Sequence, residues 1–430
     1  MMRCAIQVHP HDVRDEGAER VIGNIVERAR LRNVIVEINT IEERHPYPSG
    51  VLSHNPLHKM VFTRGTMEIP LAKETFAGLS FHPRFSPQAV CGEDHVKELI
   101  AAASPLGVSV IPWVKALNGA YEGDDAFVRT IDGEPVRTWL CPTRPETLTY
   151  LHRLVREICR RYLPPAILLD RLRYPDWSGA TVSWARGLTC FCRYCLEAMK
   201  EEGLRVEEVR LALKRLGEKL RGPLPRTRGE TEIPSVLLAW LRFRQSRITR
   251  LAESLHDELR SWCRENERRV EFLLNLWPPA FAPWLGQDYH ALGRLCDGAK
   301  HFPYHRLGGG ADLAGLIESL VPGGDEEERD HLFGALLGLL GLPYRLRFSS
   351  FRDQGFPVDF VATETAKAKT AFGRTPIYTG IQTWNLPLHE IRMAVEAARR
   401  GGADGLFFYC YGWSTLEALD EIGRIVGEFH

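Results

Sequence analysis

The chain has 430 residues, 55 basic and 55 acidic side chains, 44% apolar residues and 10% aromatics. This length accommodates one large α/β barrel or roughly two or three ordinary domains, and the balanced charge excludes the clustered positive surface that nucleic acid or an anionic membrane requires. With no secretory leader at "MMRCAIQVHPHDV" and no apolar run near the roughly 20 residues of a membrane span, the sequence predicts a cytosolic protein whose thiols stay reduced.

Strand-like runs alternate with helical patterns. "RCAIQVH" (3–9) reads as a strand, followed by a helix near 15–31, and "NVIVEIN" (33–39) as the second strand. A Pro/His-containing loop, "HPYPSGVLSHNPLHKM", comes next, then a helix over 92–105 and a third strand, "GVSVIPWVK" (107–115). A helix near 144–162 takes Pro145 in its first turn and Arg160 and Arg161 in its last, with Leu148, Leu151, Val155 and Ile158 as its apolar stripe. "AILLDRL" (166–172), apolar on both faces, is the fourth strand. Residues 176–235 interrupt the rhythm with a cysteine cluster, a charged helix near 206–220 and the breaker-rich "RGPLPRTRGETEIP". A long helix near 236–264 resumes it, with Leu241, Ile248, Leu251, Leu255, Leu259 and Trp262 on one face. "VEFLLNL" (270–276), "GAKHFPYH" (298–305), "PIYTGIQTW" (376–384) and "GLFFYCY" (405–411) complete eight strands. This alternation predicts a single (β/α)₈ barrel over 1–430, of α/β class, with an insertion at 176–235 after strand 4.

In such a barrel the site lies at the carboxyl ends of the strands. There the sequence places His9, Glu37, Asn39, Trp113 and Lys115, with Asn118 just beyond. Asp170, Arg171, Arg173 and Tyr174 follow strand 4; Asn275, Trp277 and then Asp288 follow strand 5. Strand 6 gives His301, Tyr304 and His305, strand 7 Gln382 and Trp384, and strand 8 Tyr409 and Tyr411. Aromatic rings beside hydrogen-bonding groups suit sugars, and the few basic groups argue against phosphorylated ligands. "HRLGGGADLAG" lacks the dinucleotide spacing and a Walker lysine, so Gly308, Gly309 and Gly310 read as a flexible loop. Asp297 and Asp404 precede strands and read as structural groups at the barrel bottom.

Asp170 is the sharpest catalytic candidate. It closes an apolar strand, where it is partly desolvated, and Arg171 and Arg173 are placed to hold it ionised. Glycoside hydrolysis uses two carboxyl groups. Glu37 and Asp288 are the candidates for the second, although Glu37 serves equally well as a hydrogen-bonding group and Asp288 as the cap of a helix beginning at Tyr289. The expected substrate-binding set is Trp113, Asn118, Arg173, Asn275, Tyr304, His305, Gln382, Trp384 and Tyr411, of which the tryptophans serve equally well as packing. His45, His54, His58 and His82 have no metal-ligand spacing and read as loop residues, and Arg244, beside Phe243, is the one arginine of its helix placed to turn inward.

Cys190, Cys192 and Cys195 stand in one short turn, and zinc in structural sites prefers four ligands. Cys141, in "WLCPTRPET" above strand 3, is placed to be the fourth; a histidine closing the set, or Cys141 as an apolar cap, are the alternatives. With three ligands and an open position the zinc would be catalytic. The remaining cysteines are scattered and read as core.

The stretches "SHNPLHKM", "FHPRF", "VIPWVKALNG", "LCPTRPETLTYLHRLVREI", "ILLDRLRYP", "LTCFCRYC", "GQDYHAL" and "GLFFYCYGW" resemble the uncharacterised, hypothetical glycosyl hydrolases built on a TIM barrel. The cysteine arrangement is similar to the zinc site of the family 42 beta-galactosidases, which implies structural zinc on Cys141, Cys190, Cys192 and Cys195 beside the acid/base residue. The chain departs from that clan in ending strand 4 with Leu169-Asp170 and in carrying Gln382 where a strand-7 glutamate would stand. The resemblance implies an enzyme hydrolysing O-glycosyl bonds of a carbohydrate. The rivals are a carbohydrate-binding barrel without catalysis and a hydrolase with catalytic zinc. No nucleic-acid or membrane partner is expected, and a homo-oligomer is compatible with the sequence.

Overall fold

The computed structural model describes residues 2–42, 51–123, 126–176, 184–221, 233–306 and 313–429. Eight parallel strands close into a barrel: β1 Arg3–Val8, β2 Asn33–Glu37, β3 Ser109–Lys115, β4 Ala166–Asp170, β5 Glu271–Leu276, β6 Gly298–His301, β7 Ile377–Gln382 and β8 Gly405–Tyr409. Closure is between β1 and β8, in the register Arg3↔Gly405 to Ile6↔Phe408. These are the eight strands expected from the sequence, each shorter by one to four residues. β4 stops at Asp170 because Arg171 takes a left-handed backbone (φ 53°), and β6 stops before Pro303, which has no N–H to donate.

Side chains alternate across each strand, so every second residue points inward. Ala5, Ile35, Ile111, Leu168, Leu273, Tyr378 and Phe407 fill the barrel's lower layers. Tyr378 stacks on Phe407 with centroids 4.6 Å apart. Gly298 and Gly405 make this possible, since a Cβ on either would come within 2.8 Å of the Tyr378 ring.

The expected first helix is two, Pro10–Glu16 and Ala18–Glu27, broken at Gly17 (φ 85°). Pro145–Tyr162 and the 31-residue Ser235–Glu265 pack together outside the barrel, burying the predicted stripe Leu241, Ile248, Leu251, Leu255, Leu259 and Trp262. Arg244 on that helix is fully buried, donating to Gly187 O at 3.0 Å and lying over the Tyr174 ring. Between β4 and that helix lie Trp184–Gly187, Arg193–Glu201 and Val206–Arg221. Most of the run expected to break the chain at 221–234, the Gly308–Gly310 loop and His45 lie outside the described residues. Two antiparallel ribbons were not legible beforehand: Phe81–Pro83 with Tyr121–Gly123, and Phe127–Arg129 with Pro135–Leu140. The second ends at Cys141. No helix among the described residues is long and apolar enough to cross a membrane.

Candidate active site and cysteine cluster

The inward alternation that fills the barrel with apolar groups ends, at the carboxyl rim, in polar ones. Gln7, His9, Glu37, Lys115, Asp170, Asn275 and Lys300 form the floor of a cleft of about 860 Å³ counted to its open mouth. Trp113, Trp277, Phe302, Tyr304, Tyr409 and Trp413 wall it with rings. The floor residues are each no more than 6% exposed.

Lys115 organises the acids. Its Nζ lies 2.7 Å from Glu37 Oε1 and 3.9 Å from Asp170 Oδ2, so two carboxylates flank one ammonium. The other Glu37 oxygen meets His9 Nδ1 at 2.6 Å. His9 is also the N-cap of Pro10–Glu16, its backbone N–H donating to Asp12 Oδ2 at 2.8 Å, which fixes the ring's starting point. Asp170 accepts from Trp113 Nε1 at 3.0 Å through Oδ2 and from the Arg171 N–H at 2.6 Å through Oδ1. Beyond it, Arg173 pairs with Asp176 at 2.6 Å, and Trp139 Nε1 holds the Arg173 carbonyl at 2.8 Å.

These contacts set the protonation states. Burial alone would raise the Glu37 carboxyl, but Lys115 and His9 outweigh it and hold it at about 2. Burial likewise opposes Asp170's charge, and Lys115, Arg171, Arg173 and Lys300 together bring it below the ordinary carboxylate value. Burial disfavours a charged His9 ring, yet Glu37 lifts it well above its ordinary value. The cleft therefore holds two ionised carboxylates and an imidazolium. His9 Nε2 has no oxygen or nitrogen partner, and the Cys410 thiol is its neighbour. Because Glu37 titrates lower in the folded protein than its ordinary 4.5, the stability it contributes is present above about pH 4.5 and is lost as the pH falls toward 2. Denaturant titrations between pH 5 and pH 2 should show a loss on the order of 3 kcal/mol that Glu37→Gln lacks; equal slopes in both proteins would contradict this assignment.

Of the catalytic and substrate-binding candidates the cleft brings together Glu37, Trp113, Asp170, Arg173, Asn275 and Tyr304, and of the other rim residues His9, Lys115, Arg171, Trp277 and Tyr409. Others lie elsewhere. Asp288 is the N-cap of Tyr289–Gly293, accepting from Ala291 N at 3.1 Å, and does not line the cleft, the capping alternative the sequence offered. Tyr411 is buried, its hydroxyl donating to Glu16 Oε2 and accepting from Asn24 Nδ2, both at 2.9 Å. Asn118 bonds Thr138 O at 3.0 Å and His305 faces Glu390 at 3.4 Å. Gln382 Nε2 donates to Trp384 O at 3.1 Å, and Trp384 is packed edge-on against Tyr304 and Tyr409. None of these five lines the cleft, and Asn118 Oδ1, Gln382 Oε1 and Trp384 Nε1 remain without a partner among the described residues. Replacing Asp288 by Ala should therefore lower stability by about 1 kcal/mol, as cap removals do, and leave ligand binding and turnover unchanged; loss of turnover with an intact fold would return Asp288 to the site.

Sequence reading passed over Gln7, His11, Asp176 and Lys300. For Gln7 and Lys300 a signal existed: each is a polar residue inside a buried barrel strand, on the inward parity. His301, singled out instead, is on the outward parity, bonding Thr379 and Thr365 at 3.2 Å.

The four cysteines do converge. Cys141, Cys190, Cys192 and Cys195 are buried, with their sulfurs all within 4.8 Å of one another. Cys141 Sγ is 3.4 Å from Cys192, 3.6 Å from Cys195 and 3.9 Å from Cys190. A tetrahedron with metal–sulfur bonds of about 2.3 Å has edges of about 3.8 Å, so the spacing fits one ion held by four thiolates. Backbone N–H groups of Arg129 and Cys192 point at Cys190 Sγ, both at 3.4 Å, as suits a thiolate. The group could hold a metal ion, and none of its cysteines lines the cleft.

Neither a protein-family model nor a curated protein matches the sequence. Solved structures do resemble it in fold. The PgaB (BpsB) glycoside hydrolase domain from Bordetella bronchiseptica superposes with a TM-score of 0.57 at 13% identity, covering 98% of this chain and 99% of that one. A beta-galactosidase from the psychrophilic Marinomonas ef1 gives 0.54 at 11% identity, over 100% of this chain and 59% of the other. The catalytic domain of a beta-amylase from Paenibacillus polymyxa gives 0.51 at 11% identity, over 97% and 94%. At such identities the likeness is one of fold: a closed parallel barrel of the (β/α)₈ kind.

Proposed function

We propose that the chain is a glycoside hydrolase that cleaves an O-glycosyl bond at the carboxyl face of the barrel. The observation that carries this reading is Asp170: an ionised, buried carboxylate aimed into a ring-walled cleft and oriented by two N–H donors. Asp170 acts on the anomeric centre, stabilising or attacking it as positive charge develops. His9, oriented by Glu37, gives its Nε2 proton to the leaving oxygen, and the resulting neutral imidazole takes a proton from the water that then adds to the anomeric carbon, releasing it from Asp170. Glu37 thus serves as a positioning group for His9 and Lys115 rather than as the acid itself. Trp113, Trp277 and Tyr304 offer ring faces and Asn275 an amide for the sugar. The fold neighbours' names, two of which are sugar-cleaving enzymes and one a glycoside hydrolase domain, support the substrate class. The test is a broad glycoside and oligosaccharide panel: turnover on at least one member supports the reading, and none overturns it.

A second reading, a carbohydrate-binding barrel without catalysis, is favoured by one observation. Strand β7 offers Gln382 where a carboxylate would complete an acid pair. Binding on a glycan array without turnover would select it.

The cysteine cluster fits structural zinc, which would supply a cross-link and no chemistry to the reaction. Four buried sulfurs leave no open position for substrate or water, which argues against catalytic zinc. The cross-link joins the Pro135–Leu140 ribbon to the Arg193–Glu201 helix within the insertion at 176–235. It acts on the cleft through Trp139, which holds the Arg173 carbonyl. Four reduced thiolates also suit a cytosolic setting.

A further inference from the structure

The cleft lining carries more basic than acidic side chains. Its carboxylates are Glu37, Asp170 and Asp176, and its lysines and arginines are Lys115, Arg171, Arg173 and Lys300. Each carboxylate has its counter-charge: Glu37 has Lys115 and His9, Asp170 has Lys115 at 3.9 Å, and Asp176 has Arg173 and Arg171. Lys300 is different. Its ammonium contacts the Gln7 Oε1 atom and, at 3.1 Å, the Tyr304 hydroxyl, both neutral, and it forms no ion pair with a described residue. The residue is 1% exposed. Its stem passes Gly380, where a Cβ would sit 2.9 Å from both Lys300 Cε and the His301 carbonyl oxygen. Beside it Gln7 Nε2 is buried, unsatisfied and in the cleft lining.

A buried amine whose direct contacts are neutral, with Asp170 acting on it only from beyond ion-pair distance and an unsatisfied amide donor beside it, is half of an ion pair. We infer that the cleft takes a sugar bearing a carboxylate, a uronic acid, with Lys300 as the counter-ion and Gln7 Nε2 as a second donor to that carboxylate. The inference rests on the glycan reading and names its substrate class. The electrostatics agree. Burial pushes the Lys300 amine down to about 7, Asp170 opposes this, and Lys115 adds to it. An arriving carboxylate reverses that balance by restoring the proton, and a neutral sugar has no such effect.

The test is calorimetric titration of the full chain with oligogalacturonides, with galactose oligosaccharides of matched length, and with a galactose 6-sulfate ligand. The expected result is at least tenfold tighter binding of the galacturonides than of both others, abolished in Lys300→Met and in the neutral, hydrogen-bonding Lys300→Gln. Lys300→Gln keeps a donor for Gln7 Oε1 and the Tyr304 hydroxyl, so it should fold with a melting temperature close to the parent's even where Lys300→Met, which orphans that acceptor, is less stable. Equal affinity for galacturonide and neutral oligosaccharide overturns the inference and leaves the glycan reading standing. Preference for the sulfate ester overturns the carboxylate assignment. Binding of no saccharide overturns the glycan reading and this inference with it.

Discussion

Asp170→Asn is expected to lower kcat/KM by roughly a thousandfold or more on any saccharide the parent cleaves, about 4 kcal/mol of transition-state stabilisation. The substitution preserves shape, so the fold should survive. It removes the charge that faces the anomeric centre and places an amide where both carboxylate oxygens now accept hydrogen bonds. Trp113 Nε1 and the Arg171 N–H cannot both be satisfied by an asparagine oxygen, since the amide nitrogen is itself a donor. Lys115 keeps Glu37 as its close partner, so that ammonium is not left isolated. The loss should fall in kcat more than in KM, because the charge matters most when the sugar becomes cationic. A variant within tenfold of the parent would assign the reacting carboxylate elsewhere, to Glu37 or Asp176.

The second large effect is at the sulfurs. Cys141→Ser should reduce bound zinc from near one equivalent to a small fraction of it, and lower the melting temperature on the order of 5–10 °C. Cys141 is the central member of the group, in contact with each of the other three sulfurs. Its backbone N–H is bonded to Ala126 O at 2.9 Å, and Phe191 N to Arg129 O at 2.9 Å, so the same knot closes the ribbon against the Cys190 turn. Loosening it frees Trp139 and therefore the Arg173–Asp176 side of the cleft. Activity should fall with metal loss and return on re-addition of zinc to a chelator-stripped parent, but not to the variant. Undiminished metal content in Cys141→Ser would show a three-ligand site or a different fourth ligand.

The barrel was legible in the sequence because all eight strands carry short apolar runs punctuated by helices, and a buried parallel strand needs little else. The four-cysteine group was legible for a topological reason: the loops after β3 and β4 are neighbours in a barrel. The floor was read only in part. Glu37, Asp170 and Asn275 stand at strand ends on the inward parity and were found there. Lys300 was missed because "GAKHFPYH" runs past the strand's actual end at His301, which hid which of two adjacent polar residues faces inward. A shift of one residue exchanges the two faces of a strand. Asp288, Tyr411, His305 and Asn118 lie outside the cleft lining for the converse reason. A polar residue near a rim is as often satisfied by a helix N-cap, a neighbouring hydroxyl or a carbonyl, and only the fold supplies that partner.

The charge balance was misjudged as well. The rim's basic residues look few in sequence, but Lys115, Arg171, Arg173 and Lys300 come from strands β3, β4 and β6 and their ends, and closure of the barrel brings them to one floor. Lys115 holds Glu37 and Asp170 ionised together, two carboxylates that would otherwise disfavour each other's charge.

The central claim, that this cleft hydrolyses a glycosidic bond, is tested most directly by incubating the protein with neutral and uronate-containing oligosaccharides in ¹⁸O-water and reading the products by mass spectrometry. The account predicts one ¹⁸O atom at the new reducing end of a cleaved saccharide, absent with Asp170→Asn. Saccharides that bind and are recovered intact and unlabelled would contradict it and leave a carbohydrate-binding barrel.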